Sequence, residues 1–230
     1  MKKYCFIILI IFLFSSCTIS KVERENLKKE LTTILRSDQD LRELFTNDIT
    51  QERRSKILAN YNISQDEFKV KGWKITEKND SVNLIKVEKI VAKYGYPGIK
   101  LVGEKLHTTA WYVIQHSKLA IIEKYYPTII KANKEGDLER TNVAMMEDRM
   151  HMYQGKMQIY GTQGAGRLFV DSISKKEEWT NFIWPIKDYS IVNELRKSVG
   201  FKTTMEEYSK ALDIDYSKKY SLNDIKKLTK

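Results

Sequence analysis

The stretch SVNLIKVEKIVAKYGYPG, residues 81–98, is the strongest constraint on how this chain folds. Its apolar residues recur at the spacing that puts side chains on one face of an α-helix: Leu84, Val87, Ile90 and Val91. Gly95 and Pro97 follow, and they are typical of a helix end because glycine accepts the left-handed C-cap conformation and proline cannot continue a helix. The pattern predicts an amphipathic helix that ends near Gly95.

Helical spacing is found in the first half of the chain as well. Residues 18–37 predict an amphipathic first helix, and Ser37 or Asp38 can cap a second, short helix. Residues 46–72 are polar, and their sequence does not decide a structure.

The second half contains further helical segments. Residues 102–138 predict one long helix or two stacked helices interrupted at Pro127. Thr141 or Asn142 can cap a helix that Gly155 closes. The last helical segment, residues 190–213, is divided at Gly200.

The spacing changes to period two after Gly155, which is the signature of a β-strand. Residues 157–162 are expected to pair with residues 179–184, and Gly164 and Gly166 are expected to form the bend. The predicted fold class is therefore mainly α (α+β), a single helical domain with a small β-hairpin near 157–184.

The N-terminus has the features of an export signal. Two lysines precede an apolar run from Tyr4 to Phe14, and this run of about 11 residues is shorter than the roughly 20 that a membrane-spanning helix needs. Ser15, Ser16 and Cys17 follow the run. They resemble the lipobox of bacterial lipoproteins, in which Cys17 becomes the lipid-bearing first residue, although Leu13 and Phe14 fit that box imperfectly. The alternative is an ordinary signal peptide in which Cys17 has no role.

These features predict four segments. Residues 1–16 form the signal peptide, residues 17–20 the lipidated N-terminus and tether, residues 21–216 the helical domain, and residues 217–230 a basic C-terminal tail. The other cysteine, Cys5, leaves with the signal, so cysteine catalysis and thiolate metal sites are excluded from the predicted mature domain. We expect a bacterial cell-envelope protein that is anchored to the membrane through Cys17.

The formal net charge is +10, and it falls to +8 when Lys2 and Lys3 are removed. The lysines are spread along the chain rather than gathered on one element, so the charge does not indicate a nucleic-acid partner.

The stretch GKMQIYGTQGAG, residues 155–166, concentrates glycines and hydrogen-bonding side chains. A phosphate-binding loop would place its glycines between a strand and a helix N-terminus, whereas an extended pattern follows here. Nucleotide binding is therefore not expected. On a strand, Gln158, Tyr160 and Thr162 would share one face, and that face would need polar partners or solvent.

Several motifs together resemble the bacterial family of unknown function DUF6624. The strongest is AMMEDRMHMYQGKMQIYGTQ, residues 144–163; DQDLR, VNLIKVEKIVAKYGYPG, WYVIQHS and WPIKDYSIVNELRKSVGF also match in order. The chain departs from the pattern in having Tyr96 before the proline, where tryptophan is expected, and a longer connection after Gln163. The resemblance covers most of the predicted mature chain, and it carries no known activity.

The resemblance singles out a set of polar residues. The chemistry of their side chains, not the resemblance, suggests the roles. The candidates for catalysis are His116 and Asp148, and the candidates for ligand binding are Gln39, Arg42, Asn83, Arg149, Gln158, Tyr160, Thr162, Gln163 and Arg196. Asp38 and Asp188 belong to the same matched positions.

Two functions fit this set. The first is a binding module whose cleft takes a small polar or anionic ligand or a peptide, with residues 158–163 as its inner wall and His116 and the Asp148–Arg149 helix closing it. The second is a hydrolase-like enzyme in which His116 is the general base and Asp148 orients it. Gln163 with Arg149 or Arg196 would then stabilise negative charge. A purely structural envelope protein is the remaining alternative.

Neither a metal nor another cofactor is expected. The three histidines, His107, His116 and His151, lack the spacing of a metal-binding motif, and no Gly-x-Ser-x-Gly nucleophile motif is present. The lack of a nucleophile or metal set favours binding over catalysis.

Lipidation at Cys17 gives the first testable prediction. Metabolic labelling with a fatty-acid analogue is expected to mark the wild-type protein and to be lost in Cys17→Ala, because the thiol is the acceptor of the lipid. Cys5→Ala serves as the control and should leave labelling intact. Labelling that persists in Cys17→Ala would contradict the lipoprotein interpretation.

Overall fold

The computed structural model describes residues 19–46, 48–170 and 177–228. The predicted signal peptide and Cys17 lie outside these residues. The described residues form ten helices and one two-stranded antiparallel sheet, which confirms the predicted fold class. None of the helices there combines the length and the apolar character that a bilayer crossing requires.

The elements follow one another in a simple order. The helices before the sheet are α1 (Lys21–Glu43), α2 (Gln51–Tyr61), α3 (Gln65–Tyr94), α4 (Ile99–Val102), α5 (Thr109–Gln115), α6 (Leu119–Lys134) and α7 (Arg140–Tyr153). The sheet consists of β1 (Gly164–Val170) and β2 (Glu177–Ile183), and it is followed by α8 (Val192–Ser198), α9 (Met205–Ala211) and α10 (Leu222–Leu228).

The main core lies between the helices of the first two thirds of the chain. Its buried side chains include Leu31 and Ile34 from α1, Val87 and Ile90 from α3, Trp111 and Ile114 from α5, and Ile122 and Ile129 from α6. Helices α1 and α3 are antiparallel, because Tyr94 at the end of α3 bonds Glu23 at the start of α1 and Asp80 pairs with Arg42 further along. α5 packs against both of these helices.

The predicted end of α3 is confirmed, whereas its start lies earlier. Gly95 follows the helix with φ 73°, and its N–H donates to the Val91 carbonyl. The helix begins after Ser64, whose side chain accepts a hydrogen bond from the Glu67 N–H. The region 46–72, which the sequence leaves undecided, thus contains α2 and the first turns of α3.

Two predicted helix boundaries before α7 are wrong. Ser37 and Asp38 do not cap a second helix, because α1 continues through them to Glu43. The break in the 102–138 region falls between α5 and α6 rather than at Pro127, which lies inside α6.

Boundaries from α7 onward agree better with the sequence. Glu139, not Thr141 or Asn142, is the N-cap of α7, and Gly155 (φ 66°) follows its end. Gly200 lies between α8 and α9, as predicted.

The hairpin is present, but its first strand begins later than residues 157–162. Gly164 pairs with Ile183 and Leu168 with Trp179, so Gly164 and Gly166 belong to β1 rather than to the bend. Residues 157–162 contribute one isolated bridge, between Gln158 and Ile186.

Part of the predicted basic tail, residues 217–230, is a helix. α10 places the buried side chain of Ile225 in a small core with Phe182 and Trp184 of the hairpin region. The C-terminal segment is therefore docked on the domain rather than unanchored.

The docking of α10 leads to a stability prediction. Ile225→Ala in the full chain is expected to lower the free energy of unfolding by about 2–4 kcal/mol, because it removes buried methyl groups and leaves a cavity. Guanidinium denaturation measures the change. The matched control is Val70→Ala, since Val70 is 83% exposed and should cost less than about 0.5 kcal/mol. Equal stabilities of the two variants would show that α10 is not docked.

Candidate functional site

Most of the predicted site residues fall into two hydrogen-bonded groups. The first, called the His116 cluster, consists of Asp38, Gln39, Arg42, Asp80 and His116 from α1, α3 and the end of α5. The second surrounds residues 158–163, called the 158–163 segment, and contains Asp148 and Arg196.

His116 lies directly after α5, where it is bonded to a buried carboxylate. Its Nδ1 lies 3.2 Å from Asp38 Oδ1, and the side chains of His116 and Asp38 are 15% and 1% exposed. A carboxylate accepts hydrogen bonds, so it holds Nδ1 as the donor and leaves the lone pair of a neutral imidazole on Nε2. Within the described residues, Nε2 makes no hydrogen bond. His116 is thus oriented with one nitrogen available.

Arg42 links Asp38 to a second carboxylate. Its guanidinium donates two hydrogen bonds to Asp80, of 3.0 and 2.8 Å, and it also lies 3.4 Å from Asp38 Oδ1. Gln39 donates to the other oxygen of Asp38 at 2.7 Å. Two carboxylates therefore share one guanidinium, and the side chain of Asp38 is fixed from three sides.

A cleft of about 210 Å³ opens beside His116. Its lining is mixed in charge: Glu77, Asp80, Ser81, Leu84, His116, Ser117, Lys118 and Ile121. Glu77 and Asp80 were not expected from the sequence. The one signal for Asp80 is its position three residues before Asn83 on the same helix. Asn83 itself is buried and bonds Ser37, so it joins α3 to α1.

The 158–163 segment is held by the carboxylate of Asp148. Asp148 is fully buried and accepts hydrogen bonds from the backbone N–H groups of Ile159, Tyr160 and Thr162 and from the Thr162 hydroxyl, at 2.6–3.1 Å. Burial raises the pKa of Asp148, and these hydrogen bonds act in the opposite direction because they favour the ionised form.

The side chain of Gln158 bonds the backbone at the other end of the segment and directly after β2. Its Nε2 donates to the carbonyls of Gln163 and Trp184, and its Oε1 accepts from the Gln163 N–H. These three bonds close the segment into a loop at the start of β1.

Arg196 and Tyr208 bond the segment from the C-terminal helices. Arg196 Nη1 donates to the Tyr160 carbonyl at 3.0 Å, and the Tyr208 hydroxyl donates to the Thr162 carbonyl at 2.8 Å. The guanidinium also faces the rings of Phe201 and Tyr208. Burial lowers the pKa of Arg196.

The profile of a family of unknown function (DUF6624) matches residues 25–221, which include both groups. The chain belongs to this family. No curated protein and no solved structure matches the chain significantly. DUF6624 membership confirms the family resemblance but assigns no activity.

In this DUF6624 domain, two expectations about the polar residues need correction. Asp148 does not orient His116; Asp38 does, since it lies beside the imidazole while the oxygens of Asp148 bond the 158–163 backbone. The side chain of Gln158 and the guanidinium of Arg196 also use their hydrogen bonds within the chain: Gln158 bonds the backbone of Gln163 and Trp184, and Arg196 bonds Tyr160 and Thr203.

The side chains of the other predicted residues differ in whether they have hydrogen-bond or packing partners within the chain. Gln163 Nε2 bonds the Met145 carbonyl and Thr162, and the Tyr160 side chain packs in a small core. The Arg149 Nε atom is buried, and no described residue accepts a hydrogen bond from it. Asp188 accepts from Ser190 in an exposed turn.

Across the described part of the chain, no three or more His, Cys, Asp or Glu side chains are grouped so that they could hold a metal ion.

The role of Asp148 yields a prediction about stability. Asp148→Asn in the full chain is expected to lower the free energy of unfolding by about 2–4 kcal/mol, because the new amide NH₂ would face backbone N–H donors and leave them without an acceptor. Urea denaturation measures the loss.

The matched control for this substitution is Asp66→Asn. Asp66 is 93% exposed, so the same chemical change should cost less than about 0.5 kcal/mol. If Asp148→Asn is no more harmful than Asp66→Asn, the carboxylate does not hold the segment.

Proposed function

We propose that this protein is a lipid-anchored cell-envelope binding protein whose ligand site is the cleft beside His116. The observation that carries the proposal is the bond from His116 Nδ1 to buried Asp38, which leaves Nε2 without a partner among the described residues. A polar group that is held in place but not satisfied within the chain is suited to bond a ligand.

The size of the cleft limits the ligand. A volume of about 210 Å³ is below the roughly 300–1,000 Å³ of drug-sized sites. The cleft therefore suits a small molecule or one side chain of a peptide.

The lining determines the chemistry that the ligand needs. Lys118 and the Nε2 atom of His116 can bond an anionic or carbonyl oxygen, whereas Glu77 and Asp80 favour a hydrogen-bond donor. A small polar molecule that carries both kinds of group, such as an amino acid or the end of a peptide, satisfies both sides of the cleft.

The envelope location rests on the N-terminal sequence. The short apolar run followed by Ser15, Ser16 and Cys17 supports export and lipidation, and the lipid would tether the domain through a short linker before α1.

A hydrolase is the second candidate, and the Asp38–His116 pair favours it. A buried carboxylate on Nδ1 leaves Nε2 able to take a proton, which is how a general base is prepared. In this hydrolase hypothesis Asp38 orients His116, and water is the nucleophile. Turnover of a small ester or dipeptide that is lost in both His116→Ala and Asp38→Asn would favour it over simple binding.

Thermal unfolding of the full chain, followed by intrinsic fluorescence, tests the binding proposal. The panel consists of small carboxylates, phosphates, amines, amino acids and dipeptides. A ligand at about 100 times its dissociation constant should raise the midpoint by about 5 °C or more. The rise should disappear in His116→Ala.

His151→Ala is the control, because His151 does not line the cleft and should keep the full rise. The proposal fails if the ligand stabilises His116→Ala as much as the wild type. It also fails if no compound in the panel raises the midpoint.

A further inference from the structure

Gly166, the last glycine of GTQGAG, has a role that the His116 cleft does not explain. Gly166 lies in β1 opposite Asn181 of β2, and a Cβ at Gly166 would lie 2.5 Å from Cζ2 and 2.7 Å from Cε2 of Trp179. Any larger residue at this position would collide with the indole. Gly166 therefore lets the ring of Trp179 lie directly against the strand.

The indole is fixed in this position although it is exposed. Trp179 Nε1 donates to Asn181 Oδ1 at 3.0 Å, while 63% of the residue remains exposed. One face of the ring thus lies against Gly166, and the exposed fraction leaves the other side of the residue open to solvent. A ring that is already immobilised loses little conformational entropy when a ligand stacks on it.

The surroundings of the ring add a polar and an apolar element. Asn181 uses Oδ1 to hold the indole, and its Nδ2 makes no hydrogen bond within the described residues. Leu168, the cross-strand partner of Trp179, is 45% exposed and extends the apolar surface. Arg167 pairs with Thr180, so by the alternation of the strand its side chain belongs to the opposite face.

We propose that Trp179, Asn181 and Leu168 form a binding platform for a neutral sugar ring of a glycan. A pyranose has C–H groups on one face and hydroxyl groups at its rim, so its face can stack on the indole while a hydroxyl accepts from Asn181 Nδ2. The platform itself contains no charged side chain, which suits a neutral ligand.

The small size of the platform argues against a protein partner. A stable protein interface covers about 800 Å² on each partner, far more than one indole and one leucine provide. The platform shares no residue with the cleft beside His116, so it is independent of the proposed function.

Isothermal titration of the full chain in a detergent without a sugar headgroup tests the platform. The ligands are the N-acetylglucosamine tetramer and maltotetraose, with a proline-rich decapeptide as the competing class. At least one oligosaccharide is expected to bind, and Trp179→Ala should weaken it at least about fivefold, since the stacking surface is removed. Asn181→Ala should weaken oligosaccharide binding as well. Gly166→Ala should also weaken it, although this variant keeps Trp179, because the added methyl group collides with the indole.

Trp73→Ala is the matched control. Trp73 is the other strongly exposed tryptophan among the described residues (74%), and it stacks on Phe45. Trp73→Ala should leave the affinity for the oligosaccharide within about twofold of the wild type, and so should His116→Ala. Circular dichroism should show that Trp179→Ala is folded. The proposal is overturned if neither oligosaccharide binds at about 10 mM, or if Trp73→Ala and Trp179→Ala weaken binding equally. Binding of the peptide alone at Trp179 would overturn it too.

Discussion

The buried carboxylate of Asp148 determines how the last third of the domain is arranged. Removing a carboxylate from water costs several kcal/mol unless hydrogen bonds replace the lost solvation, and here three backbone N–H groups and a hydroxyl do so. Arg196 bonds the Tyr160 carbonyl of the same segment. A stretch that is neither helix nor regular strand is thereby fixed between α7 and α8, and it positions Gln163 at the start of the hairpin. The GKMQIYGTQGAG stretch is thus a backbone-anchoring element followed by the strand that holds Trp179.

Two buried aspartates have different consequences in this molecule. Asp148 accepts from the chain itself, and the groups that donate to it are satisfied. Asp38 holds an imidazole, and the second nitrogen of that imidazole has no partner in the described residues. The first arrangement provides stability, whereas the second leaves a directed polar atom beside a cleft. This difference is the reason for placing the candidate ligand site at His116 rather than along residues 158–163.

Local patterns in the sequence were sufficient for the fold class but not for the site. The end of α3 at Gly95 and the division at Gly200 could be predicted because a glycine next to an apolar repeat is a local signal. The Asp38–His116 contact joins residues 78 positions apart, and no periodicity reports such a contact. Asp148 was expected there instead because it is one of the polar positions that the family resemblance singles out. The strand expected at 157–162 does not form, for another reason. The alternation of Gln158, Tyr160 and Thr162 is typical of a strand, but side chains accept the backbone hydrogen bonds that a neighbouring strand would have accepted.

Native-state hydrogen exchange of the Ile159, Tyr160 and Thr162 amides tests the central claim most directly. If Asp148 anchors the segment, these amides exchange as slowly as buried helical amides such as that of Met146, through global unfolding, although they lie outside regular secondary structure. Exchange as fast as that of an exposed turn amide such as Ser217 would show that the segment opens locally. The 158–163 segment would then be available to bind a ligand. The claim that this segment is structural and that the ligand site lies at His116 would be wrong.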